Sequence, residues 1–553
     1  MAATVPPRPD TATAQTVDGA IGVPERARPV EPEHRPGRLR RLARAGRADW
    51  RRSALAAASG LALTAAFPPY GLWPLSIAAV AALALLTHRR TARQAAWTGF
   101  AFGLPFFVWL LQWLHVVGWD AVIGLSIIEA VFFVPLGAAL ALTSRLPGWP
   151  LWGGCLWVAE ELVRDRLPFG GFPWGRLAFA NSASPFTPLA ALGGAPLVSF
   201  GVALTGGLVA AAVLAGWRSR GRGRQALIGL GAAVLAAAVA ACGYAVPVPT
   251  KADGQLKVAV VQGNVAQPGM HFLGRPMMIL NNHVDATLQL ARDIKAGRVA
   301  RPDLVIWPEN SSDLDPFTYP QAYDAITRAV RTIGVPVLVG ALVDGPDADH
   351  VQNEGILWSP VTGPGASYTK QHPVPFGEYV PFRKELTKVI HRLDEIQRDF
   401  YPGNHTGVMT MGGARLGDVI CFEVAYDGIV RDTVNAGARA IVVQTNNATY
   451  GRTGQPEQQL AMYQLRAVEH GRAVVAAATS GISALVEPDG TVKRQSKEFT
   501  REVLNVHLPL RDGTTVADKI GAVPEWTLAM VGVLSCAVAI WLGRRGRMED
   551  KGK

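Results

Sequence analysis

The chain has 553 residues, of which 49% are hydrophobic and only 18% charged, with 54 Lys and Arg against 43 Asp and Glu for a net charge of +11. So low a charged fraction, with a positive mean hydropathy, excludes a wholly soluble protein, in which about a quarter of residues are charged. Four Cys and 58 Gly without a period exclude a disulfide scaffold or a collagen-like fibre. The basic excess sits mostly in an N-terminal tail and in short loops between apolar runs, a pattern of membrane topology with no reason to invoke nucleic acid. What remains is a membrane protein carrying one water-soluble domain.

Residues 1–52 are rich in Pro, Ala, Glu and Arg without apolar periodicity, and are expected to form a disordered cytoplasmic tail. Residues 53–246 form a series of apolar runs. The first, Ser53–Thr87, is broken by Phe67-Pro68-Pro69-Tyr70-Gly71 into two short helices. Ala95–Val117, Ala121–Leu142, Leu151–Val163, Pro188–Trp217 and Ala226–Val246 follow, making seven. An eighth, Ala522–Leu542 within residues 522–543, precedes a basic cytoplasmic end at residues 544–553. A spanning helix needs about 20 apolar residues, so several runs are marginal alone, and charge tests the count. Lys and Arg concentrate in the tail, in His88–Arg93, at Arg145, in Arg218–Arg224 and after Leu542. With eight helices every one of these segments falls on the cytoplasmic face, as positive loops should. Parity then sends residues 247–521 outside, between helices seven and eight.

That outer segment has a different rhythm. Short β-branched runs at Lys257–Gln262, Asp303–Trp307, Pro336–Leu342, Leu416–Phe422, Ala440–Thr445 and Val474–Thr479 predict strands. Amphipathic stretches at Asn282–Ala296, Gln321–Thr332 and Glu457–His470 predict helices between several of them. Alternation at this spacing means a layered α/β or α+β domain, large enough to bury its own core.

Cys155, Cys242 and Cys536 fall in predicted membrane helices, where Cys is most often a small apolar packer. Cys421 stands alone in the outer domain, either inert and buried or kept for its reactivity. It ends a strand-like run, the place where an α/β sheet presents reacting groups. A thiol with its ordinary pKa is mostly protonated at neutral pH, so a nucleophilic Cys needs a base or a cation beside it. Glu309 and Lys370 are available at other strand ends, although either alone reads as a solvated surface residue.

Together Trp307-Pro308-Glu309, Tyr368-Thr369-Lys370 and Cys421-Phe422-Glu423 resemble the Glu–Lys–Cys triad of the nitrilase superfamily, in its usual order. Val261-Gln262-Gly263-Asn264, Pro375–Pro381 and Arg466–Arg472 narrow the likeness. With eight helices and an outward domain the whole resembles the apolipoprotein N-acyltransferases, and Phe67–Gly71, Glu161…Arg164 and Gly171-Phe172-Pro173-Trp174 in the membrane half agree. The chain departs from that family's usual pattern at Phe422, where Tyr is common, and at Thr445-Asn446-Asn447, where Ser-Asn-Asp is.

The resemblance implies a polytopic bacterial inner-membrane protein with an extracytoplasmic αββα sandwich. It implies acyl transfer from a phospholipid, through a Cys421 thioester, to the α-amino group of a diacylglyceryl-modified apolipoprotein. Glu309 would be the base and Lys370 the oxyanion partner. Glu378 would orient Lys370, Glu423 would support the nucleophile turn, and Asn446 would be a supporting amide. Each of these last three has a structural alternative, an ion pair for Glu378 and Glu423 and a turn residue for Asn446. No metal, cofactor or nucleic acid enters such a reaction, and a monomer suffices. Because both substrates carry acyl chains, Pro373–Phe382 and Met270–Ile279 are apolar enough to serve as lids, with core packing the plainer alternative. A Glu161–Arg164 pair one helical turn apart is expected to be structural. Two other classes compete. A tethered nitrilase-type amidase would need one anchor, not eight helices. A transporter with an outer receptor domain would leave Glu309, Lys370 and Cys421 unexplained and should show paired midplane breaks.

Overall fold

The computed structural model describes residues 50–218, 223–265, 276–388 and 390–551. The expected tail up to residue 49 and the lid residues Met270–Arg275, with Phe272 and Leu273, lie outside them. The first half is helical: α1 (Trp50–Thr64), α2 (Pro74–Thr87), α3 (Ala92–Leu110), α4 (Trp119–Thr143), α5 (Trp149–Arg164), α6 (Ala190–Arg218) and α7 (Gly223–Ala241). Helix α1 starts at Trp50, so the last residues assigned to the tail are helical. The run Ala95–Val117 is not one helix: α3 ends at Leu110 and a 3₁₀ helix, Gln112–Val116, takes over. Four helical segments among the described residues are long and apolar enough to cross a membrane: Trp119–Thr143, Thr187–Arg218, Gly223–Ala245 and Val523–Arg545. Helix α2, with 14 residues, rises only about 21 Å.

Small residues set how closely these helices approach. A Cβ on Gly60 would lie 2.0 Å from the Phe102 carbonyl oxygen, and one on Gly99 equally close to that of Phe133. Across the same crossing a Gly137 Cβ would lie 2.2 Å from the Ala95 oxygen. Backbones in contact gain dispersion that apolar lipid would not otherwise surrender. Several charges in this half are buried and paired. Arg164 donates to Glu160 (2.9 Å) and Glu129 (3.2 Å), so the expected Glu161–Arg164 pair is not formed. Glu161 is committed elsewhere, accepting from Trp157 Nε1 (3.2 Å) and Leu177 N (2.8 Å). Cys155, Cys242 and Cys536 all lie in helical segments as expected, Cys242 being exposed in the 3₁₀ turn that ends the apolar segment Gly223–Ala245.

Residues from Gly254 onward build two sheets. The first runs β13-β1-β2-β3-β4-β5 and the second β12-β11-β10-β9-β8-β7, where β1 is Gly254–Gln262, β2 Leu304–Ile306, β3 Val337–Asp344, β4 His350–Ser359, β5 Gly363–Thr369, β6 Asp399–Phe400, β7 Val408–Met411, β8 Ala414–Ile420, β9 Ile441–Thr445, β10 Val474–Ala478, β11 Ala484–Val486, β12 Val492–Gln495 and β13 Glu502–Leu510. Strand β6 pairs with β4 off the main path. Strands β1–β3 and β8–β10 are parallel, and their flanking partners antiparallel. Val258, Val260, Leu304 and Ile306 of one sheet meet Leu416, Ile420, Val442 and Val475 of the other in a dry interlayer. The opposite face of the first sheet packs on α8 (Met278–Lys295) and α9 (Pro320–Ile333). That of the second packs on α10 (Asp427–Asn435) and α11 (Gln455–His470), before the chain leaves through α12 (Val523–Lys551). This is an αββα sandwich. Its α11 layer is continuous with the helical half, because Met462 and Leu465 share one core with Trp174, Phe179 and Val198.

Candidate active site

Parallel strands align the C-terminal ends of β2, β8 and β9 along one edge, and the antiparallel β4–β5 pair returns the end of β5 to it. Ligands in α/β sheets bind at such an edge. Glu309 follows β2, Lys370 follows β5, Cys421 follows β8 and Asn446 follows β9. The fold brings all four together. Glu309 and Lys370 are 3% and 1% exposed, and Cys421 is half-buried.

Glu309 is held from three sides. Its Oε1 accepts from Asn353 Nδ2 (2.7 Å) and Lys370 Nζ (3.3 Å), and its Oε2 from the Asn446 backbone N–H (2.8 Å). Asn446 therefore meets Glu309 through its main chain, while its side-chain Oδ1 accepts from Ala448 N (3.1 Å). Lys370 Nζ also donates to Glu378 Oε1 at 2.6 Å, and Glu378 Oε2 accepts from Val374 N at 2.8 Å. Burial alone would lower the Lys370 pKa, but the carboxylates of Glu378 and Glu309 outweigh it and hold the ammonium well above its ordinary value. Burial also raises Glu378.

Cys421 has φ +57°, a left-handed turn that a non-glycine residue adopts at a cost of about 1–3 kcal/mol and that concentrates at functional sites. The turn is secured by Glu423. Its Oε2 accepts from Ile420 N (2.8 Å) and Tyr368 Oη (2.9 Å), and its Oε1 from Gln371 N (2.6 Å) and His372 N (3.1 Å). One carboxylate thus ties the Cys421 turn to the segment bearing Lys370. Arg466, fully buried, donates to the carbonyls of Val424 and Ala425 (each 2.8 Å) and fixes the far side of the same turn. Burial pushes the Cys421 thiol up to about 12, the Glu309 charge adding to it and Lys370 opposing. Ionisation therefore needs a base that acts as the sulfur reacts.

The other flagged motifs are accounted for locally. Gly263 is required because the His283 ring lies where its Cβ would go, 2.6 Å away. His283 accepts from Gly263 N through Nε2 (3.1 Å) and donates from Nδ1 to the Ile279 carbonyl (2.8 Å), and burial lowers its pKa to about 4. It is neutral. Phe422 packs against both Phe172 (5.4 Å) and Trp174 (5.6 Å, 9° between planes) in one three-ring cluster, so the nucleophile turn rests directly on the helical half. Of the expected lids, Phe376 and Phe382 are exposed at 40% and 68% and both contact Phe169. Met277 and Ile279 instead pack inward. Two residues at the site carried no signal in the sequence, Asn353 on Glu309 and Gln459 at Cys421, and Thr445 was visible as a motif departure without a role. Asn353 lies in β4, a strand without a β-branched run.

The family model described as apolipoprotein N-acyltransferase N-terminal domain matches residues 59–208, and that described as carbon-nitrogen hydrolase matches residues 257–518. An apolipoprotein N-acyltransferase of Mycolicibacterium smegmatis is 39% identical over 502 residues, covering 87% of this chain and 84% of that one. One of Azotobacter vinelandii is 30% identical over 529 residues, covering 92% and 98%. Among solved structures, an amidase from Nesterenkonia sp. superposes with a TM-score of 0.33 at 19% identity, over 47% of this chain and 92% of that one. With both halves matched in order, and full-length relatives covered almost end to end, the chain belongs to the apolipoprotein N-acyltransferase family.

Proposed function

We propose that this protein acylates the α-amino group of the S-diacylglyceryl cysteine of an apolipoprotein, with a membrane phospholipid as acyl donor and Cys421 as the carrier. The observation that carries the reading is the convergence of Glu309, Lys370 and Cys421 in one buried site on a domain seated against apolar helices. Glu309 takes the Cys421 proton, and the thiolate attacks an ester carbonyl of the phospholipid. Lys370 and a backbone N–H beside Cys421 stabilise the oxyanion. Collapse forms the thioester and expels the lysophospholipid alkoxide, which recovers the proton from Glu309. The lipoprotein amine then attacks the thioester, Glu309 accepts a proton from it, and the C–S bond breaks as the amide forms, the Cys421 sulfur taking that proton from Glu309. Transfer prevails over hydrolysis because a dry site admits an amine delivered on a lipid and excludes water. Glu378 fixes Lys370, Glu423 fixes the nucleophile turn, and Asn446 supports Glu309 through its backbone.

Eight helices cross the bilayer in this reading, with residues 1–52 and 544–553 in the cytoplasm and 247–521 outside as the catalytic domain of a monomeric inner-membrane enzyme. The short helices are supported as crossings by the loop charges, every basic loop falling on one face. The test is Cys421→Ala against wild type in detergent, with a phospholipid carrying a labelled acyl chain and no acceptor. Wild type should take up covalent label that hydroxylamine releases, and the variant none. A diacylglyceryl-cysteine peptide should then remove the label as amide. Label lost to water at the same rate with or without peptide would make the protein an amidase-type hydrolase.

A further inference from the structure

Cys421 has one polar side-chain neighbour whose placement follows from counting protons. Thr445, fully buried at the end of β9, lies with Oγ1 3.3 Å from Cys421 Sγ and 3.4 Å from Gln459 Oε1. A hydroxyl has a single proton to donate, and the surrounding amides decide where it goes. Gln459 Nε2 donates to the Cys421 carbonyl (3.2 Å) and to Thr445 Oγ1 (3.2 Å), which fixes the orientation of the amide and uses Thr445 as an acceptor. Gln459 Oε1 is already taken by Asn447 Nδ2 (2.8 Å) and Gln455 Nε2 (3.2 Å). Two donors saturate an amide oxygen, so of the two acceptors within hydrogen-bond distance of Thr445 Oγ1 the sulfur is the one left for its proton, while the nearby Tyr463 hydroxyl can donate to the remaining lone pair of Oγ1.

We propose that Thr445 is a further catalytic residue, donating a hydrogen bond to the Cys421 thiolate, and that Gln459, Asn447 and Gln455 are positioning residues that turn its hydroxyl toward the sulfur. The inference rests on Cys421 being the nucleophile. Thr445 transfers no proton: Glu309 removes the thiol proton as above, and the Thr445 O–H stabilises the charge left on sulfur and again when the thioester breaks. Among the described residues the titratable groups facing the sulfur are Glu309, Lys370, Glu378 and the phenols of Tyr450 and Tyr463, of which Lys370 is the cation that favours the anion. A neutral donor is therefore the other means of stabilising it. This also gives Asn447 a purpose, because an amide there donates to Gln459 where a carboxylate could only accept.

The test compares wild type, Thr445→Val, Thr445→Ser and Asn447→Ala. The readings are the rate of Cys421 alkylation by iodoacetamide against pH, with Cys421→Ala as background, and the rate of acyl-enzyme formation from labelled phospholipid. A hydrogen bond to a charged group corresponds to roughly 10- to 100-fold. Thr445→Val should displace the alkylation curve upward by about 1–2 pH units and slow acyl-enzyme formation by a similar factor. Thr445→Ser, which keeps the donor, should stay within about threefold of wild type. Asn447→Ala leaves Thr445 and its packing in place but opens Gln459 Oε1 as a rival acceptor, so it should shift the curve the same way and less. This variant carries the test if Thr445→Val does not fold. A Val or Ala variant on the wild-type curve overturns the proposal, as does a Ser variant as impaired as Val, which would reduce Thr445 to packing. If wild type takes up no acyl label while Cys421 alkylates normally, the carrier role of Cys421 fails, and Thr445 loses its function with it.

Discussion

At the scale of single residues, the interlayer beside the site holds a carboxyl group that the acyl-transfer steps do not use. Asp418 on β8 is fully buried and neither oxygen has a hydrogen-bond partner; the same is true of Gln444 Oε1 on β9. Both crowd the space above Gly355, whose Cβ would lie 2.0 Å from Asp418 Oδ2 and 2.4 Å from Gln444 Oε1. Only glycine fits there. Burial first, then the nearby charges of Glu423 and Glu309, hold the Asp418 pKa well above its ordinary value, which favours the protonated form. The sign of the pH effect follows. A raised folded pKa stabilises fully below the unfolded value of about 3.9, and that stability drains away as pH rises toward the folded one. Each pH unit in this window removes about 1.4 kcal/mol. Asp418→Asn cannot ionise. Its Tm should therefore gain on wild type between pH 5 and pH 8 in detergent. A gap that stays constant or closes across that range would show Asp418 to be ionised in the fold.

At the scale of elements, helix packing in the membrane half depends on contacts that only hydrogen can make. Helices α3 and α4 meet at Gly99 and Gly137 with backbone touching backbone. Gly99→Val must push them apart, an overpacking cost of about 1–3 kcal/mol, whereas Gly124 on α4 has nothing within 4 Å and Gly124→Val should shift the melting midpoint little. Thermal unfolding of both variants in detergent checks this, and equal effects would mean the crossing is loosely packed. The same physics explains which elements could be read in advance. Strands β1, β2, β3, β8, β9 and β10 are central, mostly buried on both faces and written in Val, Ile and Leu, so all six were legible. Strands β4 and β5 are flanking and antiparallel, carry polar residues such as Gln352, Asn353 and Glu354, and gave no comparable signal. Glu309, Lys370 and Cys421 were legible as candidates because each sits in a distinctive tripeptide at a strand end. The roles of Asn353, Thr445 and Gln459 were not, because they arise only when β4, β9 and α11 converge on atoms distant in sequence.

At the scale of the molecule, the two halves are joined by more than the covalent chain, since buried charge crosses from one to the other. Arg176, in the loop after α5, donates to Asp427 on α10 at 2.8 Å, and Asp427 also accepts from Arg466 at 2.6 Å. Arg466 in turn grips the Cys421 turn. Removing one partner of such a buried set leaves an uncompensated charge at about 3–5 kcal/mol. The rim pair Arg392–Asp120, largely solvent-exposed, is worth at most about 1 kcal/mol. With the domain docked this firmly, its side of the membrane decides which substrates it meets, and the proposed topology puts it outside. Val361, 84% exposed on the domain, and Arg90, in the basic turn between α2 and α3, report on opposite faces. In a background of Cys242→Ser and Cys421→Ala, Val361→Cys should react with a membrane-impermeant maleimide in intact spheroplasts, and Arg90→Cys only after the membrane is opened. Protection of Val361→Cys with labelling of Arg90→Cys would invert the topology. Labelling of both from outside would leave an odd number of crossings between them impossible, and with it the count of eight.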